Sequence, residues 1–85
     1  MQFLPDGLGI VIRMYYDDHS PPHFHAAYGD YRVEVTIAEG VVQGRFPKRA
    51  LRLVLEWLDE HREELMEDWT LAEERKPLKQ IQPLE

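Results

Sequence analysis

The chain has 85 residues, 44% hydrophobic and 31% charged, with a net charge of −6 and no cysteine. That length gives one domain with a thin core, the missing cysteines exclude disulfides and thiolate metal sites, and the acidic balance is not the footprint of a general nucleic-acid binder. No apolar run approaches the roughly 20 residues of a membrane span, and the start, MQFLPDGLG, lacks the basic-then-apolar pattern of a signal peptide, so a soluble cytoplasmic protein is expected.

Residues 1–85 read as a single unit, with strands over about 9–45, a helical region over about 47–75 and an extended tail over 77–85. GIVIRMYY, from Gly9, is rich in β-branched and aromatic residues and predicts a strand. SPP then imposes an extended turn, because Ser20 and Pro21 each precede a proline. HFHAAY alternates again, Gly29-Asp30 makes a two-residue hairpin loop, and YRVEVTI is the clearest strand. Glu39-Gly40 predicts a second tight turn before VVQGR. Helix starts at Pro47, where a missing N–H costs nothing. Its apolar stripe runs through Leu51, Leu55, Leu58, Leu65, Trp69 and Ala72, widened by Val54 and Trp57; the pattern allows either one continuous rod or a break near Asp59 to His61. The expected fold is α+β: an antiparallel meander of three to four strands with a C-terminal helix packed on one face.

The two turns set a register. The first hairpin pairs Tyr28 with Tyr31, Ala26 with Val33 and Phe24 with Val35 toward the helix, and puts His25 opposite Glu34, His23 opposite Thr36 and Ala27 opposite Arg32 on the other side. The second, read as a two-residue loop, puts Ile37 opposite Val42, Thr36 opposite Gln43 and Glu34 opposite Arg45. The helix-free face then carries Arg13, Tyr15, His23, His25, Arg32, Glu34, Thr36, Gln43 and Arg45. A one-sided sheet needs a polar outer face in any case; the alternative is that these groups converge to bind something.

The stretch DDHSPPHFH concentrates the chemistry. His19, His23 and His25, with Asp17 or Asp18 as an added carboxylate, have nitrogen and oxygen donors that zinc accepts, and H-x3-H-x-H lets His23 and His25 share one side of a strand. The plain alternative is a proline turn whose imidazoles bond loop carbonyls or Glu34. No cofactor is the default expectation, with a divalent metal such as zinc as the alternative. Without metal, His25 oriented by Glu34 can act as general base, His23 beside it, and the arginines can hold an anion such as phosphate. Arg45, Lys48, Arg49 and Arg52 form a basic patch free of acids around the helix start, a place where the helix dipole disfavours cations. A bound anion, nucleic acid or an acidic protein segment, would explain it; so would solvation plus an Arg52–Glu56 pair. Trp57, Met66 and Trp69 either finish the core or anchor an interface, and a homo-oligomer is compatible with so thin a core.

GIVIRMYYDDHSPPHFHAAYGDYRVEV, GRFPKRALRLVLEWLDEHREELMEDW and PLKQIQPL together resemble the small prokaryotic domain-of-unknown-function family 4160, from about Gly9 to Leu84. The residues that carry the likeness are His19, Pro21, Pro22, His23, Phe24, His25, Tyr28 and Gly29, the helix start Pro47 to Leu51, and Trp57. Ala27 is smaller and less polar than the family pattern. The resemblance implies a short stand-alone chain encoded beside another small protein, commonly of domain-of-unknown-function family 2442, in an arrangement similar to a toxin–antitoxin pair. A protein-partner-binding role is therefore the leading expectation. A histidine-dependent hydrolase or nuclease is the alternative, and a DNA-binding regulator the third.

Overall fold

The computed structural model describes residues 2–7, 9–16 and 18–83, the side chains of 2–7 excepted. Its elements are β1 (Gln2–Gly7), β2 (Ile10–Met14), β3 (His23–Tyr28), β4 (Tyr31–Thr36), β5 (Val42–Arg45) and α1 (Lys48–Glu73). The strands form one antiparallel meander in the order β1-β2-β3-β4-β5, and α1 packs over β2 and β3. The α+β meander with a C-terminal helix is thus observed, with β1 as an additional strand. Pro5 and Gly7 weaken its sequence signal, but a proline is tolerated on an edge strand, which β1 is.

The β3–β4 register is the expected one throughout, from Tyr28 opposite Tyr31 to His23 opposite Thr36. Gly29 supplies the positive φ that its two-residue loop demands. The β4–β5 register differs: Val42 faces Val35, Gln43 faces Glu34 and Arg45 faces Arg32. Thr36 is the reason. Its carbonyl accepts the Gly40 N–H (2.9 Å), its N–H donates to the Val41 carbonyl (3.0 Å), and its hydroxyl accepts the Val41 N–H (2.9 Å). The turn therefore spans residues 37–40 rather than two residues. The shift is even, so every side chain keeps its expected face, and Arg45 lies beside Arg32 instead of Glu34.

Ile10, Ile12, Met14, Phe24, Ala26, Val33, Val35 and Ile37 point inward from the sheet and are buried. The helix meets them with Ala50, Val54, Trp57, Leu58, Leu65, Trp69 and Ala72, a stripe at 3.6-residue spacing in which Leu51 and Leu55 are only half-buried. Both tryptophans belong to the core, and Met66 packs against it. A straight helix of this length would run about 39 Å, beyond the longest 33 Å dimension of the molecule. The axis bends at His61, whose φ of −122° and ψ of 22° leave the helical region. The His61 ring holds Glu64 at 2.6 Å, and Arg62 donates to the Ile37 carbonyl at 2.8 Å, tying the bend to the β4–β5 turn. The helix stops before Pro77 in a Schellman arrangement: Lys76 N–H donates to the Leu71 carbonyl and Arg75 N–H to that of Ala72, with Arg75 at a φ of 57°.

The tail docks back along the helix. Trp57 donates its indole N–H to the Gln82 carbonyl (2.7 Å), Lys79 N–H donates to Asp68 Oδ1 (2.9 Å), and Ile81 is buried. Asp68 lies in the core stripe, fully buried. Burial pushes its carboxyl above the ordinary value; the Lys79 N–H and charge pull it down, and Glu67 and Glu64 push it further up. Among the described residues, no helix is long and apolar enough to cross a membrane.

Gly44 makes the close approach of β5 to β4 possible. It has a φ of 115°, and a Cβ there would collide with the Arg32 carbonyl and lie 3.1 Å from Val33 Cα. Gly44→Ala is expected to destabilise the protein by about 2 kcal/mol or more, measurable as a lower urea midpoint with an unchanged far-ultraviolet spectrum at zero denaturant.

Candidate functional site

The connection between β2 and β3 folds back over one end of the helix-free sheet face. It carries Asp18, His19, a cis Ser20–Pro21 peptide and Pro22 into β3. Asp17, the other aspartate of this stretch, lies outside the described residues.

The alternation of β3 sends Phe24 and Ala26 into the core and His23 and His25 to the opposite side. His25 is half-buried there, but His23 is not on an open surface: only 2% of it is exposed. Register fixes the side on which His23 projects. The loop and the helix, which are remote in sequence, decide that it is covered. Its Nδ1 donates to the Pro21 carbonyl at 2.8 Å. The His19 ring stacks on it at 4.8 Å, and the Trp69 ring lies 5.4 Å away.

Asp18 is the hub of the cluster. Its Oδ2 accepts a hydrogen bond from His25 Nε2 at 2.8 Å, and its Oδ1 accepts the His19 backbone N–H at 3.0 Å. Burial alone would raise the Asp18 carboxyl. The His25 hydrogen bond, the His19 N–H and the charges of His23 and His25 together outweigh it, and the carboxyl sits below its ordinary value. His25 is therefore oriented by Asp18, not by Glu34 as the cross-strand register alone suggests. Glu34 instead turns its Oε1 toward His23 Nε2 (3.4 Å) and His19 Nε2 (3.9 Å).

Among the described residues, two sets of donors each lie within 4.8 Å of one another, Asp18 with His23 and His25, and His19 with His23 and Glu34. Neither set holds all three histidines named by the sequence; each takes two of them and draws in a carboxylate. In the sequence Asp17 and Asp18 have the same chemistry, so residue type alone does not single out Asp18.

Next to the cluster, a pocket of about 310 Å³ opens on the helix-free face, lined by Arg13, Tyr15, His25, Arg32, Glu34, Gln43 and Gly44 among others. Arg13 lies opposite His25 in the β2–β3 register, and the Tyr15 ring meets the His25 ring edge-on at 4.6 Å. Arg32 is pinned by its guanidinium to the Gly29 and Tyr31 carbonyls, at 2.9 and 3.1 Å. Arg45, Lys48, Arg49 and Arg52 are exposed and do not line this pocket. The Arg52–Glu56 pair is not formed among the described residues; the basic patch is a separate surface at the helix start.

The arrangement offers an imidazole fixed at Nε2 by a carboxylate, with Nδ1 making no hydrogen bond among the described residues, on the wall of a pocket that Arg13 and Arg32 also line. A tautomer with its proton on Nε2 leaves the Nδ1 lone pair available as a base.

Residues 9–70 match the family described as "Domain of unknown function (DUF4160)". No curated protein and no solved structure shows a match.

Proposed function

The chain belongs to the domain-of-unknown-function family 4160, and for this member we propose a hydrolase acting on a phosphate ester, the class to which nucleic-acid backbones belong. The observation that carries the reading is the Asp18–His25 hydrogen bond on the wall of the pocket shared with Arg13 and Arg32. Guanidinium groups suit phosphoryl oxygens in charge and in fork geometry. Asp18 fixes the His25 ring and stabilises the imidazolium that forms, the role a buried carboxylate plays behind a histidine base. A water attacks phosphorus and its oxygen forms the new P–O bond. Its proton passes to His25 Nδ1, and the ester P–O bond breaks to release an alcohol, which takes its proton from solvent. Arg13 and Arg32 hold the charge that builds on the phosphoryl oxygens.

The test is steady-state hydrolysis of bis(4-nitrophenyl) phosphate and of a 4-nitrophenyl nucleotide diester, with inorganic phosphate as competitor. Turnover inhibited competitively by phosphate is the expected result. No turnover, together with no phosphate-induced shift of the His25 ring resonances, would sink the reading.

A second reading, contact with a small protein partner in a toxin–antitoxin-like pair, is favoured by one observation. Tyr28 and Tyr31, 38% and 47% exposed, sit side by side at the tip of the β3–β4 hairpin, and exposed aromatic pairs suit protein interfaces. Co-expression with the neighbouring small protein, expected to be of domain-of-unknown-function family 2442, should give a complex that survives size-exclusion chromatography and is lost in Tyr31→Ser.

A further inference from the structure

We propose that His19, His23 and Glu34 form a binding site for one first-row divalent cation of the zinc type. This goes beyond the hydrolytic reading and does not depend on it.

The argument starts at His23. The ring is buried, and its Nδ1–H is committed to the Pro21 carbonyl. In the neutral ring, Nε2 then carries a lone pair. That nitrogen is buried without a hydrogen-bond partner, although Asp18 Oδ2 lies 2.9 Å and Glu34 Oε1 3.4 Å away; neither is aligned to bond it. A desolvated lone pair facing two carboxylate oxygens is repulsive unless positive charge lies between them. The charge is either a second proton on the ring or a metal ion.

Three features favour the ion. First, His19 is anchored in the same way as His23. Its Nδ1 lies 3.2 Å from the Ser20 carbonyl, and its Nε2 faces the same Glu34 oxygen at 3.9 Å. Successive carbonyls of one proline turn thus hold the far nitrogens of two stacked imidazoles and direct the near ones to one point. A histidine whose other N–H is fixed by a carbonyl is the usual arrangement of a metal ligand. Second, the spacing suits a shared ion. Ligands about 2.1 Å from a tetrahedral zinc stand about 3.4 Å apart. The Glu34 oxygen is 3.4 and 3.9 Å from the two nitrogens, and the three atoms lie within 4.8 Å of one another. These separations are long for hydrogen bonds and short for groups that ignore each other. Third, two imidazoles and a carboxylate select a zinc-like ion over magnesium or calcium, which prefer all-oxygen shells. His19 is 71% exposed, so an ion can enter from solvent, and the Asp18 carboxylate, with Oδ2 2.9 Å from His23 Nε2 and Oδ1 3.7 Å from His19 Nε2, is a further donor at hand.

The experiment is calorimetric titration of chelator-treated protein with zinc and with magnesium, with native mass spectrometry for stoichiometry. One zinc per chain should bind and magnesium should not. At a hundredfold excess over Kd, zinc should raise the Tm by about 10 °C or more, reversed by chelator. Glu34→Gln and His19→Ala change positions outside the core, so they test the site without relying on the buried His23. Each should weaken zinc binding at least about tenfold. His25→Gln, and His61→Gln at the histidine outside the cluster, should bind as the wild type does.

The proposal is overturned by the absence of saturable one-to-one binding, or by unchanged binding in both Glu34→Gln and His19→Ala. It is also overturned by loss in His25→Gln with retention in Glu34→Gln, which would place the ion on Asp18, His23 and His25. The titration contains no phosphate ester, so its failure and the failure of hydrolysis are separate results.

Discussion

His25→Gln is expected to lower kcat for phosphodiester hydrolysis about 10²–10⁴-fold, the usual contribution of a positioned general base, with KM and the unfolding midpoint nearly unchanged. The base is on Nδ1, and glutamine has no titratable nitrogen to replace it. The ring is half-buried at the pocket wall and its backbone lies in the centre of the meander, so the fold does not depend on the imidazole. Asp18 is a positioning residue in this scheme. Asp18→Asn should lower kcat by less than His25→Gln and leave KM alone, whereas Arg32→Ala should act mainly on KM. The same kcat in His25→Gln and wild type would remove His25 from the chemistry, whatever the pocket binds.

Phe24→Ala is expected to cost about 3–5 kcal/mol, most of the stability available to a domain of this size. Phe24 is fully buried, faces Val35 across the β3–β4 ladder and meets the Trp57 ring edge-on at 5.8 Å. Its removal leaves a cavity where sheet and helix meet, and β3 is already held by hydrogen bonds on both sides and cannot collapse into it. Urea denaturation followed at 222 nm checks this, and Phe24→Leu, which keeps most of the volume, should cost about a third as much. A loss below about 1 kcal/mol in Phe24→Ala would mean that the helix does not seal the sheet at this point. The result bears on the site as well, since Phe24 stands between His23 and His25 and fixes the strand that presents them.

These two residues also show what a sequence carries and what it does not. Strand alternation and the Gly29-Asp30 loop are local signals, and from them follow the inward Phe24, the outward His25 and every pair of the β3–β4 ladder. Glu39-Gly40 carries the same kind of signal, yet the hydroxyl and backbone of Thr36 close a longer turn, and β5 lies two residues away from the expected register. Only parity survived, because a pleated strand has a period of two. The bend at His61 is one of two options the sequence leaves open, since a straight helix of that length is long for the domain, and helical periodicity alone does not choose between them. β1 was not legible, because Pro5 and Gly7 hide an edge strand. In the site, the convergence of His19, His23 and His25 follows from their spacing, but the role of each depends on the loop from Asp18 to Pro22. Its course buries His23, gives His25 to Asp18 instead of Glu34 and frees Glu34 to face the other two rings. No pattern of residue types encodes that path.

The contact between Trp69 and His23, at 5.4 Å between ring centroids, has a spectroscopic consequence. Indole emission is quenched by a cationic imidazole at such range through electron transfer, so the chain carries its own optical probe inside the cluster. Trp57, the other emitter, can be silenced by Trp57→Phe, which keeps an aromatic ring beside Phe24 and gives up the second ring of the indole with its N–H bond to the Gln82 carbonyl. In that background the emission of a single buried tryptophan reports a change at the His23 ring, such as a bound ion, without label or substrate.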